Sequence, residues 1–167
     1  MTSTLPALDP AALRRAFAHV PSGLVTVAAL AEGGPVGLIA SSFTSVSLEP
    51  ALVSVNIGIG STTLPALSRR TVWGISVLAD DQGPVTEAFR RPSAERFDDI
   101  SWSASPDGAV HLDGAAATFT AALDRLIPAG DHVIALLAVQ DHRSDPAAGP
   151  LVFHRSRLRR LDREDLR

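Results

Sequence analysis

The 167-residue sequence contains no cysteine, no lysine and no tyrosine. The missing cysteine rules out a disulfide, a thiolate metal ligand and a cysteine nucleophile. The missing lysine makes all fifteen cationic side chains arginine, a compositional bias with no mechanism attached to it. Charge of one sign is lacking too: the net charge of -3 offers no basic footprint, so no nucleic-acid partner is expected. No apolar run reaches the ~18 residues that a membrane span needs. The opening MTSTLPALDP has no basic stretch followed by an apolar one, so no secretory leader and no membrane partner are expected. The expectation is one cytoplasmic domain over residues 1–167.

Several catalytic signatures are absent as well. The histidines, His19, His111, His132, His142 and His154, form neither HxH nor HExxH, so no metal is expected. Without GxSxG there is no nucleophile elbow, and without GxGxxG no Rossmann turn. Asp98 and Asp99 are adjacent, but they lie in a polar stretch that reads as a solvated face. His19, His111 and His142 read as surface residues.

What is present is a series of short apolar segments. Residues 9–19 read as a helix with Asp9 as N-cap, Pro10 in the first turn, and Leu13, Phe17 and Val20 at helical spacing. Residues 22–43 read as a hairpin turning at Gly33-Gly34-Pro35. Strands are expected over 51–59, 71–79, 117–127, 132–143 and 151–161. LPALSRR after Ser61, Thr62 and Thr63 reads as a short helix, and DQGPVTEAFRR as another capped by Asp80 or Asp81. Residues 91–108 form a polar excursion. Short strands with few inserted helices argue for a small β-barrel rather than βαβ units. One stretch poses a question: in GLIASSFTSVSLEP, Ser41 and Ser42 precede Phe43. They are either the polar face of a half-buried strand or hydroxyls lining a polar ligand.

Seven segments occur in an order that resembles the flavin reductase-like, FMN-binding split-barrel family. They are LRRAFAHVPSGLVTV, GLIASSFTSVSLEPALVSV, STTLPAL, VWGISVLADDQ, ERF, Gly130-Asp131-His132 and PLVFHR, and together they cover about residues 11–161. The resemblance implies a mainly β, Greek-key split barrel, and a homodimer. It implies a flavin reductase that passes hydride from NADH or NADPH to FMN or FAD and supplies reduced flavin to a partner monooxygenase.

The resemblance also assigns positions. Gly37, Leu38, Ile39, Ala40, Ser41, Ser42 and Phe43 would run beside the flavin ring, with Gly37 and Ala40 small enough for close approach. Ile57, Gly58 and Ile59 would form the neighbouring wall. Ser61, Thr62, Thr63 and Leu64, at a helix start, would take the phosphate, with Phe89 and Arg90 as further contacts. His132, Phe153 and Arg155 would face the nicotinamide, His132 in the catalytic role; it reads equally as a structural histidine bonded to Asp131. Ala121, Ser156 and Leu158 depart from the family's usual Cys, Gly and Tyr, on what the resemblance makes the nicotinamide side. Two alternatives stay open on the same scaffold: a flavin enzyme acting directly on an organic metabolite, and a non-catalytic flavin-binding dimer.

Overall fold

The computed structural model describes residues 8–161, so the leader reading of the first seven residues lies outside the described residues. The strands are β1 (Ser22–Gly23), β2 (Val25–Ala31), β3 (Gly34–Ala40), β4 (Thr44–Leu48), β5 (Ala51–Gly58), β6 (Val72–Val77), β7 (Trp102–Ala104), β8 (Val110–Leu112), β9 (Ala117–Ala129), β10 (His132–Ser144), β11 (Leu151–His154) and β12 (Arg157–Arg160). The helices are α1 (Pro10–Phe17), α2 (Leu64–Leu67) and α3 (Gly83–Ala88), with a 3-10 turn at Ser93–Glu95.

The chain is mainly β, as expected. Seven strands form one antiparallel sheet in the order β3-β2-β6-β9-β10-β5-β4. Its two edge strands, β3 and β4, are consecutive in sequence and joined by residues 41–43 alone. Laid flat, seven strands would separate the edges by about 29 Å. The linker reaches about 14 Å from Ala40 to Thr44. The sheet must therefore curl until its edges approach, which gives a barrel with a seam between β3 and β5.

Alternation fills that barrel. Val25, Val27 and Ala29 of β2, Val53, Val55 and Ile57 of β5, Trp73 and Ile75 of β6, and Leu137 of β10 form the interior core. The Trp73 indole N–H donates to the carbonyls of Leu67 and Arg70, both at 3.0 Å. Those bonds pin the end of α2 to the core and satisfy a buried donor. A second cluster lies on the outer face, where Leu24, Ala28 and Leu78 meet Val85, Phe89, Phe97, Val110 and Leu151. The 91–108 excursion thus packs on the barrel: Phe97 meets Phe89 and Trp102 edge-on, with ring centroids 5.1 and 6.5 Å apart.

Asp9 caps α1 as expected, accepting from the N–H groups of Ala11 and Ala12. Four local expectations are corrected. The first hairpin turns at Glu32–Gly33, and Pro35 sits within edge strand β3, where a missing N–H is tolerated. Residues 44–48 form their own strand. Helix α3 starts at Gly83 behind Gln82, not at an Asp80 or Asp81 cap; the Gln82 amide instead accepts from Ala79 N–H and donates to the Asp113 carbonyl. Residues 151–161 are not one strand but a hairpin, β11–β12, turning on Arg155 and Ser156, both with positive φ (50° and 60°). That two-residue turn matches strand twist, but it carries no Asn-Gly to announce it.

Candidate active site

The edge strand β3 borders a cleft of two adjacent lobes that share Leu38, Ile39 and Ser61. The first lobe, about 560 Å³, lies over the barrel seam and is lined further by Ala40, Ser41, Ser42, Asn56, Ile57, Gly58 and His132. Its walls are mostly backbone and small side chains. The seam explains the paired serines. β5 pairs with β10 as far as Gly58, but with β4 only from Ala51 to Ser54. The Asn56 backbone therefore lacks a strand on its outer side. Ser42 Oγ fills that place, accepting from Asn56 N–H at 2.9 Å and donating to Asn56 O at 3.1 Å. One hydroxyl stands in for a strand residue and clasps the β3–β4 linker to β5. Ser41 stays exposed on the cleft wall.

His132 begins β10 opposite Gly58. Its Nδ1 lies 2.7 Å from Asp131 Oδ1, which leaves Nε2 as the ring nitrogen on the side of Gly58. The hydrogen bond from His132, with the attraction of its charge, holds the Asp131 carboxyl below the usual carboxylate range.

The second lobe, about 690 Å³, is lined by side chains from distant segments: Thr62, Thr86, Glu87, Phe89, Arg90, Arg96, Phe153, Ser156 and Leu158 among them. Arg90, exposed, pairs with Glu87 at 3.1 Å. Arg96, half-buried, donates from Nη1 to the Gly37 carbonyl and to Thr63 Oγ1, each at 2.9 Å, and from Nε to the Arg91 carbonyl at 3.2 Å.

The model of the flavin reductase like domain matches residues 17–162. The chain belongs to that family. An NADH:FMN oxidoreductase of Rhodococcus erythropolis is 39% identical over 153 residues, covering 88% of this chain and 79% of the relative. The reductase component of a flavin-dependent trigonelline monooxygenase from Acinetobacter baylyi is 35% identical over 138 residues, 82% of this chain. The chain spans only 44% of that relative's length, and 42% of a Rhizobium meliloti relative's. The solved structure of an NADH:FAD oxidoreductase from Streptomyces globisporus C-1027 superposes with a TM-score of 0.88 at 32% identity, covering 95% of this chain and 98% of that one.

Within this flavin reductase-like chain, the structure brings Leu38, Ile39, Ala40, Ser41, Ser42, Ile57, Gly58, Ser61 and His132 to the first lobe, and Thr62, Phe89, Arg90 and Phe153 to the second. Other expected positions do not line either lobe. Gly37 is small for packing: a Cβ there would sit 2.8 Å from Ala28 Cβ and 2.9 Å from the Phe97 ring. Phe43 packs on the interior core and stacks on Phe119, centroids 5.6 Å apart. Ile59 is exposed beyond the lobes, and Leu64 rests on the core. Thr63 is buried with its hydroxyl engaged by Arg96.

At the start of α2, where the phosphate was expected, the chain's own groups make bonds. Ser61 Oγ already accepts from the N–H groups of Thr63 and Leu64, at 3.2 and 3.3 Å. Arg155 occupies the β11–β12 turn and meets His19 Nδ1 at 3.0 Å, away from the cleft. Ala121, which departs from the family pattern, lies inside the barrel core, whereas Ser156 and Leu158 line the second lobe. His111 is half-buried, its Nε2 3.1 Å from the Phe119 carbonyl, rather than a surface residue. Among the described residues no group of three or more His, Cys, Asp or Glu could hold a metal. Sequence reasoning missed Arg96; its one signal was the ERF segment, to which no role was attached.

Proposed function

We propose that this chain is an NADH- or NADPH-dependent flavin reductase that reduces FMN or FAD and hands reduced flavin to a separate monooxygenase. The two adjacent lobes, which share Leu38, Ile39 and Ser61, carry the reading. A flavin joins a flat ring with a polar edge to an anionic tail. The first lobe offers a narrow wall of Leu38–Ser42 facing Ile57 and Gly58, with hydroxyl and backbone groups for the ring edge. The second offers two arginines against one glutamate for the tail. The residues present fit the cofactor. Bound flavin supplies the hydride-accepting chemistry, so no nucleophile or acid–base pair is required of the protein. Leu38, Ile39 and Ala40 hold the ring and exclude water. Ser41 orients its polar edge. His132, fixed through Nδ1 by Asp131, presents Nε2 to the open side, where it positions the nicotinamide. Such positioning is a large part of the rate when two rings must meet at ~3–3.5 Å.

The chain acts as one domain and as a homodimer. Phe17 (64% exposed) and Leu48 (94% exposed) are apolar side chains that a second copy would cover in that dimer. A reductase drawing on the cell's pyridine nucleotides works in the cytoplasm; among the described residues no helix is long and apolar enough to cross a membrane.

Anaerobic mixing with FMN and NADH tests the reading. Loss of flavin absorbance, faster than without protein, is expected. Reduction that requires an organic substrate and no pyridine nucleotide would make the chain a direct flavin enzyme. Flavin binding without turnover would make it a carrier.

A further inference from the structure

Strand β10 runs on past the strand that flanks it. Its pairing with β5 ends at Ala138 opposite Leu52, whereas its pairing with β9 continues to Ser144 opposite Ala117. Among the described residues no strand pairs with 139–144 on the β5 side. The ladder tells which backbone groups face that side. The Asp145 N–H donates to the Ala116 carbonyl at 2.9 Å. Ala117 and Ser144 are thus a non-hydrogen-bonded pair, and Thr118 with Arg143 the hydrogen-bonded pair beside it. Alternation turns the backbone groups of Asp141 and Arg143 toward β9, and those of His142 and Ser144 outward. Residues 140–145 are all exposed. Among the described residues neither Asp141 nor Arg143 forms a salt bridge.

An open edge with unpaired N–H and C=O groups is a template for another strand, and charges normally blunt it. The order Asp141-His142-Arg143 repels most strands but is complementary to itself. When a second copy adds the same edge antiparallel about a twofold axis at His142, the two His142 residues exchange N–H···O=C bonds. Asp141 then lies opposite Arg143 of the second copy, and Arg143 opposite its Asp141. Both are non-hydrogen-bonded positions, where Cα atoms come within about 4.5 Å and opposite charges attract. An axis moved one residue either way sets Asp141 or Arg143 against itself, and finds backbone groups already turned to β9. The charges therefore fix the register. We infer that residues 140–144 are an interface between copies of this chain, joining two sheets edge to edge about a twofold axis at His142. The contact is separate from the apolar side chains Phe17 and Leu48 and does not rest on the flavin reductase reading. Along β10, which starts at His132, the axis lies about 30 Å from that histidine, at the far end of the strand from the cleft.

Sedimentation velocity over a range of concentrations tests this on wild type, Asp141→Arg, Arg143→Asp, an equimolar mixture of those two variants, and His142→Pro. Each charge reversal sets like charges opposite each other in both pairs. It should raise the Kd of self-association at least ~10-fold, so that the mass halves where wild type is assembled. The halving is from tetramer to dimer if the apolar side chains also join copies, and from dimer to monomer if they do not. The mixture should regain the wild-type mass, because one chain then presents two arginines to the two aspartates of the other. His142→Pro removes an outward N–H and should halve the mass as well. Should the proline variant fail to fold, the reversals, at exposed side chains, carry the comparison. A wild type no heavier than its variants, a reversal that keeps the wild-type mass, or a mixture no heavier than its parts would overturn the inference.

Discussion

The two lobes of the cleft share Leu38, Ile39 and Ser61 but are built differently. The first is a strand edge and a seam: consecutive residues 38–42 face 56–58, and Ser42 clasps the two with one hydroxyl. The second is assembled from side chains of residues 60–62, 86–96 and 153–158 around a half-buried arginine. A flat ring needs room, backbone donors and no bulk. An anionic tail needs a held charge. The difference teaches that one cleft can separate shape from charge, and the proposed function then predicts that changes in one lobe alter rate and changes in the other alter affinity.

Gly37→Val would disturb both lobes and has the largest expected effect. The new side chain meets Ala28, Phe97 and the Val27 carbonyl at 2.8–2.9 Å, contacts that backbone and packed rings cannot yield. Overpacking of this kind costs about 1–3 kcal/mol. Denaturant unfolding should show that loss together with weaker binding of FMN and riboflavin alike; unchanged stability would mean that Phe97 and β2 give way freely.

His132→Ala sharpens the comparison from the first lobe. It should slow flavin reduction by up to ~100-fold and leave FMN affinity unchanged. Rate, affinity and melting temperature falling together would make His132 a structural residue. Ser42→Ala is smaller. It leaves the Asn56 N–H and carbonyl without the hydroxyl at an exposed seam, a loss of about 0.5–1.5 kcal/mol in urea unfolding. A Ser42→Ala protein as stable as wild type would show that the seam closes without the clasp.

The smallest effect is that of Asp131→Asn. The His132 hydrogen bond depresses the Asp131 pKa. A carboxyl with a lowered folded pKa adds stability above its unfolded value of about 3.9, and that stability is lost as pH falls through the folded pKa. Asp131 is fully exposed, so solvent screens the contribution. Melting curves from about pH 7 to about pH 3 should show a slightly shallower acid decline in the variant. A steeper decline would contradict the sign.

The first lobe was legible in the sequence because it is local. The stretch GLIASSF states the strand, its small residues and the two hydroxyls in one run, and only the seam was needed to tell Ser41 on the cleft wall from Ser42 on the clasp. The barrel was legible from short alternating strands such as ALVSVNI. The second lobe was legible only in part: the family resemblance named Thr62, Phe89, Arg90 and Phe153, whereas Arg96 joins them only because the 91–108 excursion folds back on the outer face through Phe97. No spacing in the chain announces that Arg96 lies beside Thr63 and Gly37, 33 and 59 residues away. The hydroxyls before α2 were legible as helix caps, and Ser61 Oγ takes that role. The Arg155–Ser156 turn was hidden because neither residue is one that usually adopts positive φ.

The separation of shape from charge is tested most directly by anaerobic stopped-flow reduction of FMN and of riboflavin by NADH on the wild-type protein, followed at the flavin absorbance over a range of flavin concentrations. If the ring reacts in the first lobe and the phosphate only binds in the second, the tail contributes uniform binding, and the limiting rates for the two flavins should agree within about twofold while riboflavin needs a roughly 10- to 100-fold higher concentration. A limiting rate for riboflavin that falls as far as its affinity would show that the second lobe takes part in the chemical step and would contradict the account.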